Sequence, residues 1–241
     1  HVSVVIGDAK EAQQLLSLRW DYIFFTGSTS IGKIVAKAAA EFLTPTTLEL
    51  GGKNPCVVEE SAKIDLTAKR IVWGKFFNCG QTCVAPDYII VNHKIKDKLV
   101  EALKTAIKDA FGENPIESKS YGRLINKNHL DRINKMMKGA SIIHGGESNS
   151  LEKFFAPTLL LDQNLKSGAM QEEIFGPILP IISYKDIEET YDIIDRFEKP
   201  LGAYLFSKNK KNIERFKNEV SAGAIVINDS IIQVINSNLP F

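Results

Sequence analysis

The sequence predicts an α/β fold with a largely parallel sheet, and two observations carry that prediction. Short β-branched runs alternate with segments whose apolar residues recur at helical spacing, from one end of the chain to the other. Parallel strands need a crossover between them, so alternation over this length means helices joining strands of a common sheet. The 241 residues, 44% hydrophobic and 24% charged, exclude disordered, collagen-like and coiled-coil readings and suffice to bury a core.

The elements follow in order. Residues 2–6 read as a strand, 12–18 as a short helix and 22–25 as a second strand. Ile31, Ile34, Val35, Ala38 and Phe42 fall at helical spacing, and Pro45 stops that helix. Residues 46–50 and 56–58 read as strands, 64–77 as a helix and 88–91 as a strand. Ile95, Leu99, Leu103, Ile107 and Phe111 mark one face of a long helix ending before Gly112. A further helix covers 124–137 and ends at Gly139. Residues 141–143, 155–161 and 179–183 read as strands. Asp186 with Glu189 makes a capping-box start for a helix carrying Ile187, Tyr191 and Ile194. Residues 203–206 form a strand, Ile213, Phe216 and Val220 mark a helix, and 224–227 form a strand.

Thirty basic and 29 acidic side chains leave a net charge of +1, which argues against a nucleic-acid surface. No apolar run approaches the roughly 18 residues of a bilayer span. Three cysteines, Cys56, Cys79 and Cys83, are too few and too oddly numbered for a secreted disulfide framework, which points to a reducing compartment. His1, His93, His129 and His144 are scattered without metal-ligand spacing, so no metal is expected. A chain beginning at His1 rather than Met reads as processed or incomplete.

Four segments have chemical potential. Residues 25–33, Phe-Thr-Gly-Ser-Thr-Ser-Ile-Gly-Lys, combine a strand end, a small-residue turn and a helix start, where free N–H groups and the helix dipole suit an anion. The segment nearly matches a P-loop, but Ile34 stands where the magnesium-binding hydroxyl belongs, and it lacks G-x-G-x-x-G. A plain strand–helix connection is the alternative. Residues 47–55 put Glu49 on the strand face opposite Leu48 and Leu50, just before Gly51-Gly52. A carboxylate in a partly apolar pocket shifts towards use as a base, while a solvated strand-end Glu is the bland alternative. In residues 77–88, Cys83 sits in a loop between a helix ended by Gly80 and a strand opened after Pro86. A reachable thiolate is a strong nucleophile, although a loop cysteine is often inert. Residues 171–177, Gln-Glu-Glu-Ile-Phe-Gly-Pro, offer carboxylates for ribose hydroxyls and an aromatic for a flat ring, or else a solvated charged loop.

Taken together and in this order, Phe-Thr-Gly-Ser-Thr (25–29), Leu-Glu-Leu-Gly-Gly-Lys (48–53), Gly-Gln-Thr-Cys (80–83) and Glu-Glu-Ile-Phe-Gly-Pro (172–177) resemble the aldehyde dehydrogenase superfamily. Cys83-Val84-Ala85-Pro86-Asp87-Tyr88, with Thr44-Pro45, is most similar to its class 3 and fatty aldehyde dehydrogenase branch. The resemblance implies that Cys83 is the nucleophile, attacking an aldehyde to give a thiohemiacetal and then a thioester, with NAD or NADP as hydride acceptor. It implies that Glu49 is the general base releasing the carboxylic acid. Gly27, Ser28, Thr29, Ser30, Ile31 and Gly32 would lie against the cofactor, Leu50 near its nicotinamide, Glu173 on its ribose and Phe175 beside it.

The resemblance divides the chain into the C-terminal part of a Rossmann-type cofactor domain (1–47), a catalytic domain (48–228) and the start of a return or oligomerisation segment (229–241). It implies a medium- or long-chain aliphatic, or aromatic, aldehyde substrate, a cytoplasmic enzyme that is a homodimer in its full-length parent, and membrane association only through a tail beyond residue 241. Read this way the sequence is truncated at both ends, and the 241 residues alone are expected to bind NAD(P)⁺ poorly and turn over little. Two other readings stand beside it: a silent short product that pairs with a full-length relative, and a P-loop nucleotide hydrolase, which Ile34 opposes.

Overall fold

The computed structural model describes residues 1–162 and 165–239 and divides into two compact units, His1–Gly51 and Gly52–Phe241. In the first unit α1 (Ala9–Leu16) begins in a capping box, with Asp8 accepting from the Lys10 N–H and Glu11 accepting from the Asp8 N–H. It is followed by β1 (Ile23–Gly27), α2 (Thr29–Glu41) and β2 (Thr46–Leu50). β1 and β2 pair in parallel with Thr26 opposite Glu49 and Gly27 opposite Leu50, so the whole 46–50 strand belongs to this unit.

Residues 2–6 are not the expected strand. They are exposed, and a β-branched run becomes a strand only when another strand satisfies its ladder, which none does among the described residues. The buried stripe of α2 is Gly32, Val35 and Ala39, whereas Ile31 and Ile34 face outward. Glycine at 32 is what lets the helix approach the Leu50 side chain so closely.

The second unit contains β3 (Pro55–Val58), α3 (Ile64–Phe76), β4 (Tyr88–Asn92), α4 (Lys96–Phe111), α5 (Lys127–Met136), β5 (Ser141–His144), β6 (Ser148–Asn149), β7 (Phe154–Phe155) and β8 (Thr158–Leu161). It continues through β9 (Ile178–Tyr184), α6 (Glu188–Ile194), β10 (Gly202–Phe206), α7 (Lys210–Glu219) and β11 (Ala224–Ile227). Seven strands form one sheet in the order β11-β10-β3-β4-β9-β8-β5, parallel throughout except that β5 runs against β8.

Strand alternation explains the layers. Cys56, Val58, Ile89, Val91 and Ile181 point into the core shared with α3, α4 and α5. Val57, Ile90, Ile182 and Leu205 point to the opposite core, with Ile193 and Ile194 of α6 and Phe216 of α7. Each fully buried side chain of this kind stabilises the fold by roughly 1.5–3 kcal/mol relative to exposure. Among the described residues no helix is long and apolar enough to cross a membrane.

Three expected boundaries move for local reasons. The 155–161 run splits into β7 and β8 because Pro157 has no N–H for a ladder; Thr158 instead donates to the Ala156 carbonyl and accepts from the Gly146 N–H. The 124–137 helix starts only at Lys127, because Asn126 caps it by accepting from the His129 N–H at 2.9 Å. α3 ends at Phe76 rather than Phe77, and Asn78 and Cys79 then turn left-handed at φ 51° and 57°. The expected capping at Asp186 and Glu189 is present: the Asp186 N–H donates to Glu189 and the Glu188 N–H to Asp186.

Candidate active site

The first unit holds one group of expected site residues. Ser28 caps α2, its hydroxyl accepting from the Ile31 N–H at 3.4 Å, with Gly27 ending β1 immediately before it. The N–H groups of a helix's first turn lack intrahelical acceptors, so this thirteen-residue helix presents Thr29 and Ser30 at a positive end. Glu49 and Leu50 close β2, and all five residues of this strand are half-buried. The geometry fits an anion such as a dinucleotide pyrophosphate: small residues, hydroxyls and N–H donors cluster without an acidic side chain among residues 25–33.

In the second unit the remaining residues converge on one end of the sheet. Asn54 precedes β3, Cys83 to Asp87 precede β4, Glu173 to Pro177 precede β9, and Gly202 opens β10. Because these strands are parallel neighbours, their amino ends line one rim. Asn54 ties that rim together: its amide donates to the carbonyls of Cys83 at 2.8 Å and Ala85 at 2.9 Å, and its oxygen accepts from the Gly202 N–H at 2.9 Å. The Asp87 N–H donates to the Asn54 carbonyl at 2.8 Å.

Cys83 is half-buried in this loop, while Cys56 and Cys79 are fully buried. Burial pushes the Cys79 thiol up to about 11 and moves Cys56 upward as well, so both are held as thiols. The Gly80-Gln81-Thr82 approach to Cys83 is pinned on its other side. Gln81 donates to the carbonyls of Asn78 at 3.1 Å and Arg123 at 3.0 Å, and accepts from the Ile125 N–H at 3.0 Å. Gly80 has φ +73°, and its α-carbon lies against the Gly176 carbonyl, so the Gly-Gln-Thr-Cys and Phe-Gly-Pro segments touch through their backbones.

Asp87 fixes the Glu173 segment. One of its carboxylate oxygens accepts from Lys53 and the other from the Ile174 N–H at 3.0 Å, while Lys53 also donates to the Ala169 carbonyl at 2.6 Å. Arg132 grips the same segment from α5, donating to the carbonyls of Glu173 at 3.1 Å and Ile174 at 2.5 Å. Burial, reinforced by Asp87, raises the Glu173 carboxyl to about 7, partly offset by a hydrogen bond from the Gly52 N–H and by Lys75 and Arg132. Phe175 sits at φ +45°, an uncommon conformation for a bulky residue, with its ring 6.4 Å from that of His129.

Several of these residues escaped the sequence reading. Asn54 and Lys53 were only flanks of the Glu49 segment, and Asp87 only the end of the Cys83 segment. Between the end of α3 and the end of α4, Trp73, Phe77, Phe111 and Tyr121 line an open groove of about 680 Å³. Trp73 and Phe77 are exposed there, and the aromatic run at the end of α3 was the available signal.

The sequence pattern of the aldehyde dehydrogenase family matches residues 1–241. The chain is 47% identical over 238 residues to rat aldehyde dehydrogenase family 3 member A2, covering 99% of this chain and 49% of that protein. It is 45% identical to the dog aldehyde dehydrogenase named dimeric and NADP-preferring, covering 99% of this chain and 52% of that one. A solved structure of Staphylococcus aureus AldH in a substrate-bound state superposes with a TM-score of 0.95 at 45% identity, covering 98% of this chain and 52% of that one. The chain thus spans about half the length of the curated relatives it matches. It belongs to the aldehyde dehydrogenase family.

Proposed function

We propose that this chain supplies the nucleophile and part of the cofactor site of an NAD(P)⁺-dependent aldehyde dehydrogenase. The observation that carries the reading is the rim at the amino end of the sheet, where Asn54 and Gln81 hold a half-buried Cys83 in a loop joined through Gly80 to the Glu173–Phe175 segment. Family membership supports the roles assigned to these positions.

In this reading the Cys83 thiolate adds to the aldehyde carbonyl, forming a C–S bond and a tetrahedral oxyanion. The Cys83 N–H is a candidate donor to that oxyanion. The dinucleotide, when bound, accepts the hydride that converts the thiohemiacetal into a thioester. Ser28, Thr29, Ser30 and Ile31, flanked by Gly27 and Gly32, would receive its pyrophosphate, Leu50 would adjoin its nicotinamide, Glu173 would accept from its ribose hydroxyls and Phe175 would pack beside it. Glu49 takes the proton of the water that attacks the thioester, releasing a carboxylic acid and restoring Cys83. The name of the dog relative favours NADP as one acceptor to be tried. Medium- or long-chain aliphatic and aromatic aldehydes are the substrates to try, and a dimer is the assembly to look for.

The test uses the native protein carrying this chain. Aldehyde-dependent NAD(P)H formation is expected, lost in Cys83→Ala. Glu49→Gln should keep a first-turnover burst of NAD(P)H and slow the steady state. No aldehyde-dependent reduction by the native protein, or full activity in Cys83→Ala, refutes the assignment.

A further inference from the structure

At the carboxyl ends of β3 and β10, the opposite end of the sheet from the rim that holds Cys83, the chain connections part. β3 leads through α3 to β4, and α3 packs on the face of Cys56 and Val58. β10 leads through α7 to β11 on its other side, and Phe216 of α7 packs on the face of Val57 and Leu205. Parallel neighbours whose crossovers leave in opposite directions on opposite faces open a crevice at their carboxyl ends, where open α/β sheets take their ligands. The loops bounding this crevice are tied together. The Glu59 N–H donates to the Phe206 carbonyl at 3.0 Å, the Lys208 N–H to the Ser61 hydroxyl at 2.8 Å, and the Ser207 hydroxyl to the Glu59 carboxylate.

A cavity of about 170 Å³ lies there, between the start of α3 and the ends of β10 and β11. Lys63, Leu66, Thr67 and Arg70, spaced three and four apart on one helix face, line one side, and Lys208 and Asn228 line the other. Three of these side chains are cationic, and among the described residues none that lines the cavity is acidic. Arg70 is balanced: its guanidinium donates to the Asn228 carbonyl and pairs with Asp229 at 3.4 Å. Lys63 and Lys208 have neither an ion pair nor a side-chain hydrogen bond among the described residues. Thr67 is only 3% exposed, yet its hydroxyl makes no hydrogen bond among them either. The first turn of α3 has no side-chain cap, so its N–H groups add to the positive end of the crevice. The nearby acids are engaged or outside the lining: Glu59 with Ser207 and Asn212, Glu60 with Lys94, and Asp65 exposed.

We propose that this crevice is a second binding site, for a phosphate group held by Lys63, Lys208 and Thr67. Two unbalanced ammoniums match the roughly two negative charges of a phosphate monoester near neutral pH, whereas a carboxylate would balance only one. A buried hydroxyl without a partner is costly, and a phosphate oxygen accepting from Thr67 removes that cost. The cavity is smaller than the ~300–1,000 Å³ of pockets that enclose whole ligands, which suits one anionic group with the rest of its molecule outside. Leu66, exposed at this lining, offers an apolar surface to the organic part of a small phosphate ester. The site uses none of the residues assigned to aldehyde oxidation.

The experiment titrates the native protein with phenyl phosphate and with inorganic phosphate by isothermal calorimetry, at low salt and in a phosphate-free buffer. Saturable binding at one site is expected. Lys63→Met and Lys208→Met should each weaken it about five-fold and Thr67→Val about three-fold, the loss of one charge-assisted hydrogen bond at a partly solvated position. Both lysines are exposed, so their replacement leaves the fold intact, which an unchanged urea midpoint checks. Lys94→Met, which removes an equal charge elsewhere on the surface, and Cys83→Ala should bind as wild type. Tighter binding of phenyl phosphate than of inorganic phosphate supports an ester as the occupant, and the reverse order supports the free ion. No saturable binding of either probe, or losses in Lys94→Met equal to those in Lys63→Met and Lys208→Met, overturns the site. Loss of binding in Cys83→Ala alone would put the phosphate at the thiol rim and overturn it equally.

Discussion

Replacing Gly80 with alanine tests the contact that joins the thiol loop to the Phe-Gly-Pro segment. Two costs apply at this position. Gly80 has φ +73°, and a side chain held in that left-handed region costs about 1–2 kcal/mol. A β-carbon there would also fall on the Gly176 carbonyl and lie 3.0 Å from the Pro177 nitrogen. These are backbone atoms just before β9 and cannot rotate away, so a further ~1–3 kcal/mol of overpacking is expected. The sum is about 2–5 kcal/mol. Gly139 supplies the control: it has the same φ of +73°, but a β-carbon there would meet nothing within 4 Å. Gly139→Ala should therefore show the conformational cost alone. Equilibrium urea unfolding of the two variants, followed by tryptophan fluorescence, isolates the steric part as their difference. A Gly80→Ala loss no greater than that of Gly139→Ala would mean that the two backbones do not meet as described.

Two further outcomes follow from the same region. Iodoacetamide should label the native protein at Cys83 while Cys56 and Cys79, buried and held as thiols, stay unmodified until urea is added; peptide mass mapping checks this, and early labelling of Cys79 would contradict its burial. Asp87→Asn should cost about 3–5 kcal/mol by leaving the Lys53 ammonium without its buried counter-charge, whereas Lys94→Met, which removes an exposed pair with Glu60, should cost under about 1 kcal/mol. Comparable losses in the two variants by urea denaturation would refute the distinction.

Where hydrophobic pattern and strand length coincide, as in β3, β4 and β10, the sequence made the fold legible, because buried parallel strands read as continuous apolar runs. The same pattern misled at residues 2–6, since β-branched composition does not supply a pairing partner. Pro157 and Asn126 moved boundaries through single-residue effects, a missing donor and a side-chain cap, that a periodicity window averages away. At the site, Cys83, Glu173 and Phe175 stood out through their motif spacing. The burial of Lys53 did not, because lysine is almost always exposed and nothing in a one-dimensional pattern marks the exception. Asn54 was equally silent: its three partners lie 29 to 148 residues away, so only the assembled sheet reveals what it does.

That carboxamide has a consequence for motion. Loops that carry chemistry are often drawn from the least stable parts of a structure, where they open independently of the core. Here the segment holding the thiol is latched to the starts of two central strands by one side chain, and its next residue but one, Ala85, shares the latch. The side chain that receives the Gly202 N–H beside β3 and β10 also bonds the carbonyls of Cys83 and Ala85, so this loop is tied to the frame of the sheet. A loop held in this way is expected to stay as fixed as the strands it joins.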